Sequence, residues 1–334
     1  MASAVTVNVE QLLGELAQQR RDRAGVSTTS INLIAFVEND PRLLERMAER
    51  IDTLAQRNVS RTLLLSAEQR EHATRSHCIE IENTLVTHSE QIELSVENVD
   101  APELRSIVHD LLVPNVRSVL LWGGAHLDDP RFTVLADLAD IVVLFSSARG
   151  GGVEPLREIV KLVGTAVGSK LRDLSYLRLL TWQDTIAQFF DEADLAAELP
   201  HICEVQVESG SSAEAYYLVA WLASRLAWDP CGRAEFCNAD GKSIKVEMRR
   251  QGEPRHIYGI TLQSQHSTFG VSVDPQAEDL LCLTVEGQKQ RPKRCAPLHD
   301  VDMITLIERA IFEQASAQVY ADTLQMLGRL LEHA

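Results

Sequence analysis

Between residues 31 and 163, short apolar runs alternate with stretches that are apolar on one helical face only. Ile31 to Val37 is an apolar run of strand length. Asp40-Pro41 follows as an N-cap with proline at the first helical position, and Leu43, Leu44, Met47, Ile51 and Leu54 then share one face. The unit recurs: Thr62 to Leu65 reads as a strand, as do Val119 to Trp122 and Ile141 to Phe145. Helices open at Asp100 with Pro102, at Asp129-Pro130 and at Pro155. Strands that are apolar throughout are buried on both faces, and alternation with helices allows parallel pairing through crossovers. This region is therefore expected to be an α/β domain with a mostly parallel sheet. Residues 76–97 differ, because Ile79, Ile81, Ile92, Leu94 and Val96 fall at period two, the pattern of a half-exposed antiparallel pair.

The pattern changes after residue 170. Ser211 and Glu214 form a capping box ahead of AYYLVAWLASRLAW, a helix apolar on nearly every side and hence buried. Strands are expected near 232–237, 243–249, 256–263, 269–273 and 280–285. Two helices follow, 301–314 after Asp300 and 316–332. Strands followed by helices predict an α+β domain. The expected organisation is an N-terminal helix and linker over 1–30, an α/β domain over 31–170 and an α+β domain over 171–334. A chain of 334 residues has room for about two domains.

The net charge of −16 disfavours nucleic acid and anionic lipid as partners and favours a partner with a basic patch. No apolar run approaches the ~18 residues that span a bilayer, and the first residues lack the pattern of a signal peptide, so a cytoplasmic location is expected. Six cysteines, Cys78, Cys203, Cys231, Cys237, Cys282 and Cys295, are scattered without CxxC spacing, which points to free thiols and no zinc site. Cys231 and Cys237 are the exception, a candidate redox pair if a hairpin brings them together.

Little in the chain reads as catalytic. Arg149, Gly150, Gly151 and Gly152 lie between a strand and a helix, where dinucleotide folds hold phosphate, but the text ARGGGVEP is not G-x-G-x-x-G. A flexible loop is the plainer reading. Trp122-Gly123-Gly124 ends a strand, with His126, Asp128 and Asp129 beyond it. Asp129 is already explained as a helix cap. There is no G-x-S-x-G elbow and no H-E-x-x-H.

The most distinctive stretch is DLSYLRLLTWQDTIAQFFD, Asp173 to Asp191. Thr181 is placed to cap the following helix, and Tyr176, Arg178 and Trp182 are residue types enriched at binding hot spots. A helix entry buried in the core is the competing reading.

This stretch resembles the OpcA family, the assembly and activator proteins of glucose-6-phosphate dehydrogenase. Asp173, Leu174, Arg178, Leu179, Thr181 and Trp182 stand at matching positions, with Tyr176 in place of a tryptophan and Gln183 in place of an arginine. PNVRSVLLWGG, LADLADIVVLFSSAR and AYYLVAWLASRLAW follow the family in order, so the resemblance covers roughly 30–250. It implies a non-catalytic subunit without a cofactor that binds glucose-6-phosphate dehydrogenase, aids its assembly and activates it allosterically in the oxidative pentose phosphate route. Trp122, Asp173, Tyr176, Arg178, Thr181 and Trp182 are the contact residues expected on that reading. The alternative is a sugar-phosphate or nucleotide-binding α/β enzyme or sensor with its ligand at 149–152.

Overall fold

A computed structural model of the chain describes residues 8–22, 29–38, 41–68, 73–81, 85–149, 152–251, 257–298, 301–313 and 317–333. It divides into two compact units. The first comprises Met1–Phe145, Thr165–Arg172 and Ile307–Glu313, and the second Ser146–Gly164, Asp173–Leu306 and Gln314–Ala334.

The first unit begins with α1 (Val9–Asp22), followed by β1 (Ile31–Val37), α2 (Pro41–Arg57) and β2 (Ser60–Ser66). The hairpin β3 (Ala73–Ile81) and β4 (Leu85–Ser95) precedes α3 (Ala101–Leu111), β5 (Ser118–Gly123), α4 (Pro130–Leu138) and β6 (Ile141–Leu144). α1 starts as its sequence requires, with the Gln11 N–H donating to Asn8 Oδ1 at 3.0 Å, and it buries Leu12 and Leu16. The expected caps at Asp40 and Asp300 lie outside the described residues.

Every residue of β1 and β2 is buried. β1 pairs in parallel with β2, Ile34 opposite Leu63, and with β5, Ile34 opposite Leu120. β6 and β4 extend the parallel sheet on either side, and β3 joins antiparallel at the edge. After α5 (Glu154–Lys161) and α6 (Ala166–Lys170), the short β7 (Leu171–Asp173) completes the order β3-β4-β2-β1-β5-β6-β7. The chain winds outward from β1 in both directions, so a crevice opens where the direction reverses, at the carboxyl ends of β1 and β5.

Asn32 and Arg61, both buried in this sheet, have matched polar atoms. Asn32 accepts from the Val113 N–H at 2.9 Å and donates to the Val113 carbonyl at 3.0 Å. Arg61 on β2 faces its register partner Glu90 on β4, with Nη2 to Oε2 at 2.6 Å, and donates to the Leu111 carbonyl at 3.1 Å.

The second unit contains α7 (Leu174–Leu177), α8 (Leu180–Gln188), α9 (Ala193–Ala196), β8 (Ile202–Ser209) and α10 (Ser212–Arg225). Then come β9 (Asp229–Gly232), β10 (Glu235–Cys237), β11 (Ser243–Arg250), β12 (Ile257–Ser264), β13 (Ser267–Asp274), β14 (Ala277–Gly287) and β15 (Arg291–Pro297). Two helices close the chain, α11 (Met303–Phe312) and α12 (Ala317–Glu332). The strands form one sheet in the order β15-β14-β13-β12-β8-β11-β10-β9. Its β8–β11 pair is parallel, whereas β12, β13, β14 and β15 pair antiparallel in succession. α10 is buried around most of its circumference, as its composition requires.

The units are less continuous in sequence than a single boundary at residue 170 would make them. Residues 146–164 cluster with the second unit, because α5 packs on α12: a Cβ on Gly328 would lie 3.0 Å from Val160 Cγ1. Conversely, Ile307–Glu313 joins the first unit, where Glu308 accepts from Arg57 at 3.2 Å and from Asn58 at 3.1 Å.

The expectation of free thiols is corrected. Cys231 is bridged to Cys237 across the β9–β10 hairpin, and Cys282 to Cys295 across β14 and β15. Cys231 and Cys237 are the pair that a hairpin was expected to join, whereas Cys282 and Cys295 meet through strand register, which spacing in the sequence does not reveal. Cys203 is a free, exposed thiol.

Replacing Glu90 by Gln leaves the Arg61 guanidinium buried without its counter-charge. The expected loss is roughly 3 kcal/mol or more in denaturant unfolding, the range for breaking a buried pair from one side. A loss under about 1 kcal/mol would mean that water or another group takes over.

Candidate functional site

In doubly wound folds the first strand-to-helix turn carries glycines that let the backbone approach a pyrophosphate. Here that turn reads Val37-Glu38-Asn39-Asp40-Pro41 and has no glycine. The Glu38 carboxylate lies at the crevice and accepts the Ala125 N–H at 2.5 Å. A cavity of about 560 Å³ opens there, lined by Glu38, His126, Asp128, Asp129 and Arg131 among others. Arg131 is committed to Asp129, which caps α4: Asp129 Oδ1 accepts the Arg131 N–H at 2.8 Å, and Oδ2 accepts from Nη2 at 2.6 Å. Burial pushes the Asp129 carboxyl up, but hydrogen bonds and charge from Arg131, with a contribution from His126, outweigh it and leave the group below its ordinary range. The hydrogen bond to Asp129 in turn raises Arg131. Three carboxylates and a neutralised guanidinium make this crevice anionic, so its residues do not fit a dinucleotide phosphate.

Beneath the crevice lies an aromatic stack. Trp122 is parallel to Phe36, with ring centroids 4.4 Å apart, and meets Phe132 edge-on at 5.2 Å. The Arg131 guanidinium sits 5.0 Å above Phe36. Trp122 is 4% exposed, and a Cβ on Gly124 would come within 2.4 Å of its indole. Gly124 is therefore the residue that lets the chain pass over the ring.

In the second unit, Asp173 organises a buried polar cluster. Its Oδ1 accepts the Ser146 N–H at 3.2 Å and the Ser175 N–H at 2.9 Å, and its Oδ2 accepts the Tyr217 hydroxyl at 2.9 Å. The Ser175 hydroxyl donates to Ser147 at 3.0 Å. Tyr176 packs against Tyr217 at 5.7 Å and Tyr320 at 4.6 Å between centroids. Burial, then the charge of Asp173, keeps the Tyr217 phenol well above its ordinary value. Arg178 pairs with Glu214 at 3.1 Å. Burial drives the Glu214 carboxyl up to about 7, Arg178 pulls it part of the way back, and Asp173 adds to the rise.

These positions correct the expected contact face. Asp173, Tyr176 and Trp182 are 1%, 3% and 4% exposed, and Trp122 is equally enclosed, so they build the core rather than present a surface. Thr181 does not cap α8, which starts at Leu180. Its carbonyl instead accepts the Thr185 hydroxyl at 2.7 Å. Arg178 is partly exposed but held by Glu214. The suggested phosphate loop fares similarly. The Arg149 side chain is 7% exposed and meets Glu158 at 2.6 Å, while Gly150 and Gly151 lie outside the described residues. Cys231 and Cys237 are brought together as the hairpin required. Sequence reasoning missed Glu38 and Arg131, although the signal was present: an acidic residue at the end of the central strand where glycine is expected.

Two outcomes follow from the buried cluster. Asp173→Ala strands two N–H groups and a phenol, and is expected to lower unfolding stability by about 3 kcal/mol. Wild-type-like stability would show that the cluster is dispensable. Unfolded, Glu214 releases its proton near pH ~4.3, whereas folded it holds it up to about 7. Its stabilising contribution is thus complete below the unfolded value and is lost as pH rises through about 7. The melting temperature should fall over that window, by an amount equivalent to roughly 3 kcal/mol, and the fall should be smaller in Glu214→Gln. Parallel wild-type and variant curves would contradict this.

Comparison with known proteins agrees with this architecture. Residues 51–162 match the model for the glucose-6-phosphate dehydrogenase subunit N-terminal domain, and residues 169–324 that for its C-terminal domain. The OpcA protein of Synechocystis sp. (strain PCC 6803), named for the OxPP cycle, is 25% identical over 265 residues, 74% of this chain and 54% of the relative. The OpcA protein of Nostoc punctiforme is 27% identical over 205 residues, 57% of this chain and 43% of the relative. The chain thus spans about half the length of these curated relatives. Among solved structures, the 3-ketoreductase KijD10 of Actinomadura kijaniata, in complex with TDP-benzene and NADP, superposes with a TM-score of 0.51 at 9% identity. That match covers 92% of this chain and 97% of the reductase, and it shows a shared fold. No helix among the described residues is long and apolar enough to cross a membrane. With both domain models matched in order along most of its length, the chain belongs to the OpcA family of glucose-6-phosphate dehydrogenase subunit proteins.

Proposed function

We propose that this chain is a non-catalytic partner of a glucose-6-phosphate dehydrogenase, which it binds, helps to assemble and activates. The observation that carries the reading is the crevice at β1 and β5, where carboxylates occupy the place that a working oxidoreductase of this fold gives to phosphate. The family description of its two domains supports the choice of partner.

An activator works only by binding the active form of its target more tightly than the inactive form. A coupling of about 1–3 kcal/mol changes substrate affinity roughly 5- to 150-fold. The net charge of −16 and the exposed carboxylate of Asp128 at the crevice favour a basic surface on the dehydrogenase. Such charges act mainly on the rate of encounter and make the association sensitive to salt.

The test is the rate of glucose-6-phosphate oxidation by the cognate dehydrogenase, with and without this chain. The expected result is at least a five-fold gain in kcat/KM at limiting sugar phosphate. Asp128→Lys should raise the concentration of chain needed for half of the effect and leave its circular dichroism unchanged. Unaided turnover of a sugar phosphate, or a thermal shift with nicotinamide nucleotides alone, would replace this reading with that of an enzyme.

A further inference from the structure

Cys282 on β14 and Cys295 on β15 stand directly opposite one another in the register and are bridged. The two positions are 13 residues apart, in strands already joined by a hydrogen-bonded ladder. A bridge acts mainly by constraining the unfolded chain, and the ladder pairs these strands on its own, so the register of the folded hairpin does not rest on the sulfur–sulfur bond. Cys282 is buried, whereas Cys295 is an exposed residue on the edge strand, the side from which a reductant would approach the bridge.

A third donor completes the cluster. The Asp274 carboxylate lies 3.5 Å from the Cys282 sulfur, and the ligand atoms of Asp274, Cys282 and Cys295 all fall within 4.8 Å of one another. Lys293 meets Asp274 at 2.7 Å. Two thiolates and a carboxylate around a divalent ion leave one net negative charge, which this ammonium cancels. Thiolates with a carboxylate suit a borderline cation such as zinc, and three protein ligands leave a fourth position for water.

We infer that reduction of the Cys282–Cys295 bridge opens a zinc-binding site formed by Cys282, Cys295 and Asp274. A dithiol reductant supplies two electrons and two protons to the sulfur–sulfur bond and becomes a disulfide itself, leaving two thiols. Zinc then displaces both thiol protons into solvent and binds the two sulfurs. In the reverse step a small-molecule disulfide accepts two electrons from the two sulfurs and two protons from solvent to become two thiols, the sulfur–sulfur bond re-forms and the ion is released, so occupancy follows the thiol–disulfide balance. The inference stands on the second unit alone and does not rest on the choice of partner enzyme.

The full chain carrying Cys231→Ser and Cys237→Ser removes the other bridge from the measurement. It is reduced with dithiothreitol, desalted without oxygen and titrated with zinc against a colorimetric chelator, then with cobalt followed by absorption. The reduced chain should take up one equivalent and show a thiolate-to-cobalt charge-transfer band, while the oxidised chain shows neither. Asp274→Ala should weaken binding at least about ten-fold. Cys295→Ser, at an exposed edge position, should abolish the band. A reduced chain without that band, or zinc uptake unchanged by Cys295→Ser, overturns the proposal.

Discussion

The first unit depends on one constraint: β1 is buried along its whole length and flanked by parallel neighbours on both sides. That burial explains why Ile31–Val37 is so apolar, and why its one strongly polar residue, Asn32, must have its amide satisfied by the Val113 backbone. It also fixes where the strand ends. Glu38 follows at once, at the point where the winding of the sheet reverses. A single acidic residue at that position changes what the crevice can hold. The fold is shared with a 3-ketoreductase solved in complex with NADP, but fold alone does not carry function.

The second unit is organised around polar groups that the chain has enclosed. Asp173 spends both carboxylate oxygens on backbone and phenol donors, and Glu214 is held against Arg178. Enclosed polar groups are costly when left unmatched, so the arrangement that brings Asp173 its three donors is favoured over others. The residues that carry the family pattern, Asp173, Tyr176, Arg178 and Trp182, thereby belong to the scaffold of this unit.

Much of the secondary structure was legible because its causes are local. The apolar runs of β1, β2, β5 and β6 and the prolines that open α4 and α5 lie in the text itself, as do Ser211 and Glu214, which begin α10. The candidate site was less legible because its causes are not local. Asp173 is joined to Ser146 across 27 positions and to Tyr217 across 44. Trp122 ends a strand at the edge where ligands sit, and only the arrival of Phe36 and Phe132 decides that it is core. Thr181 reads as a helix start because threonine favours caps, yet α8 begins one residue earlier and absorbs it. The Cys282–Cys295 disulfide required strand register, and the alternation that predicts strands does not supply it.

Physical association with the dehydrogenase is the first thing that the proposed role requires. Sedimentation velocity of the purified chain mixed with the cognate dehydrogenase at micromolar concentration, in low and in high salt, measures it directly. A faster boundary containing both proteins, weakened as salt rises, is the predicted result. Two boundaries that sediment independently at every ratio and every salt concentration would contradict it.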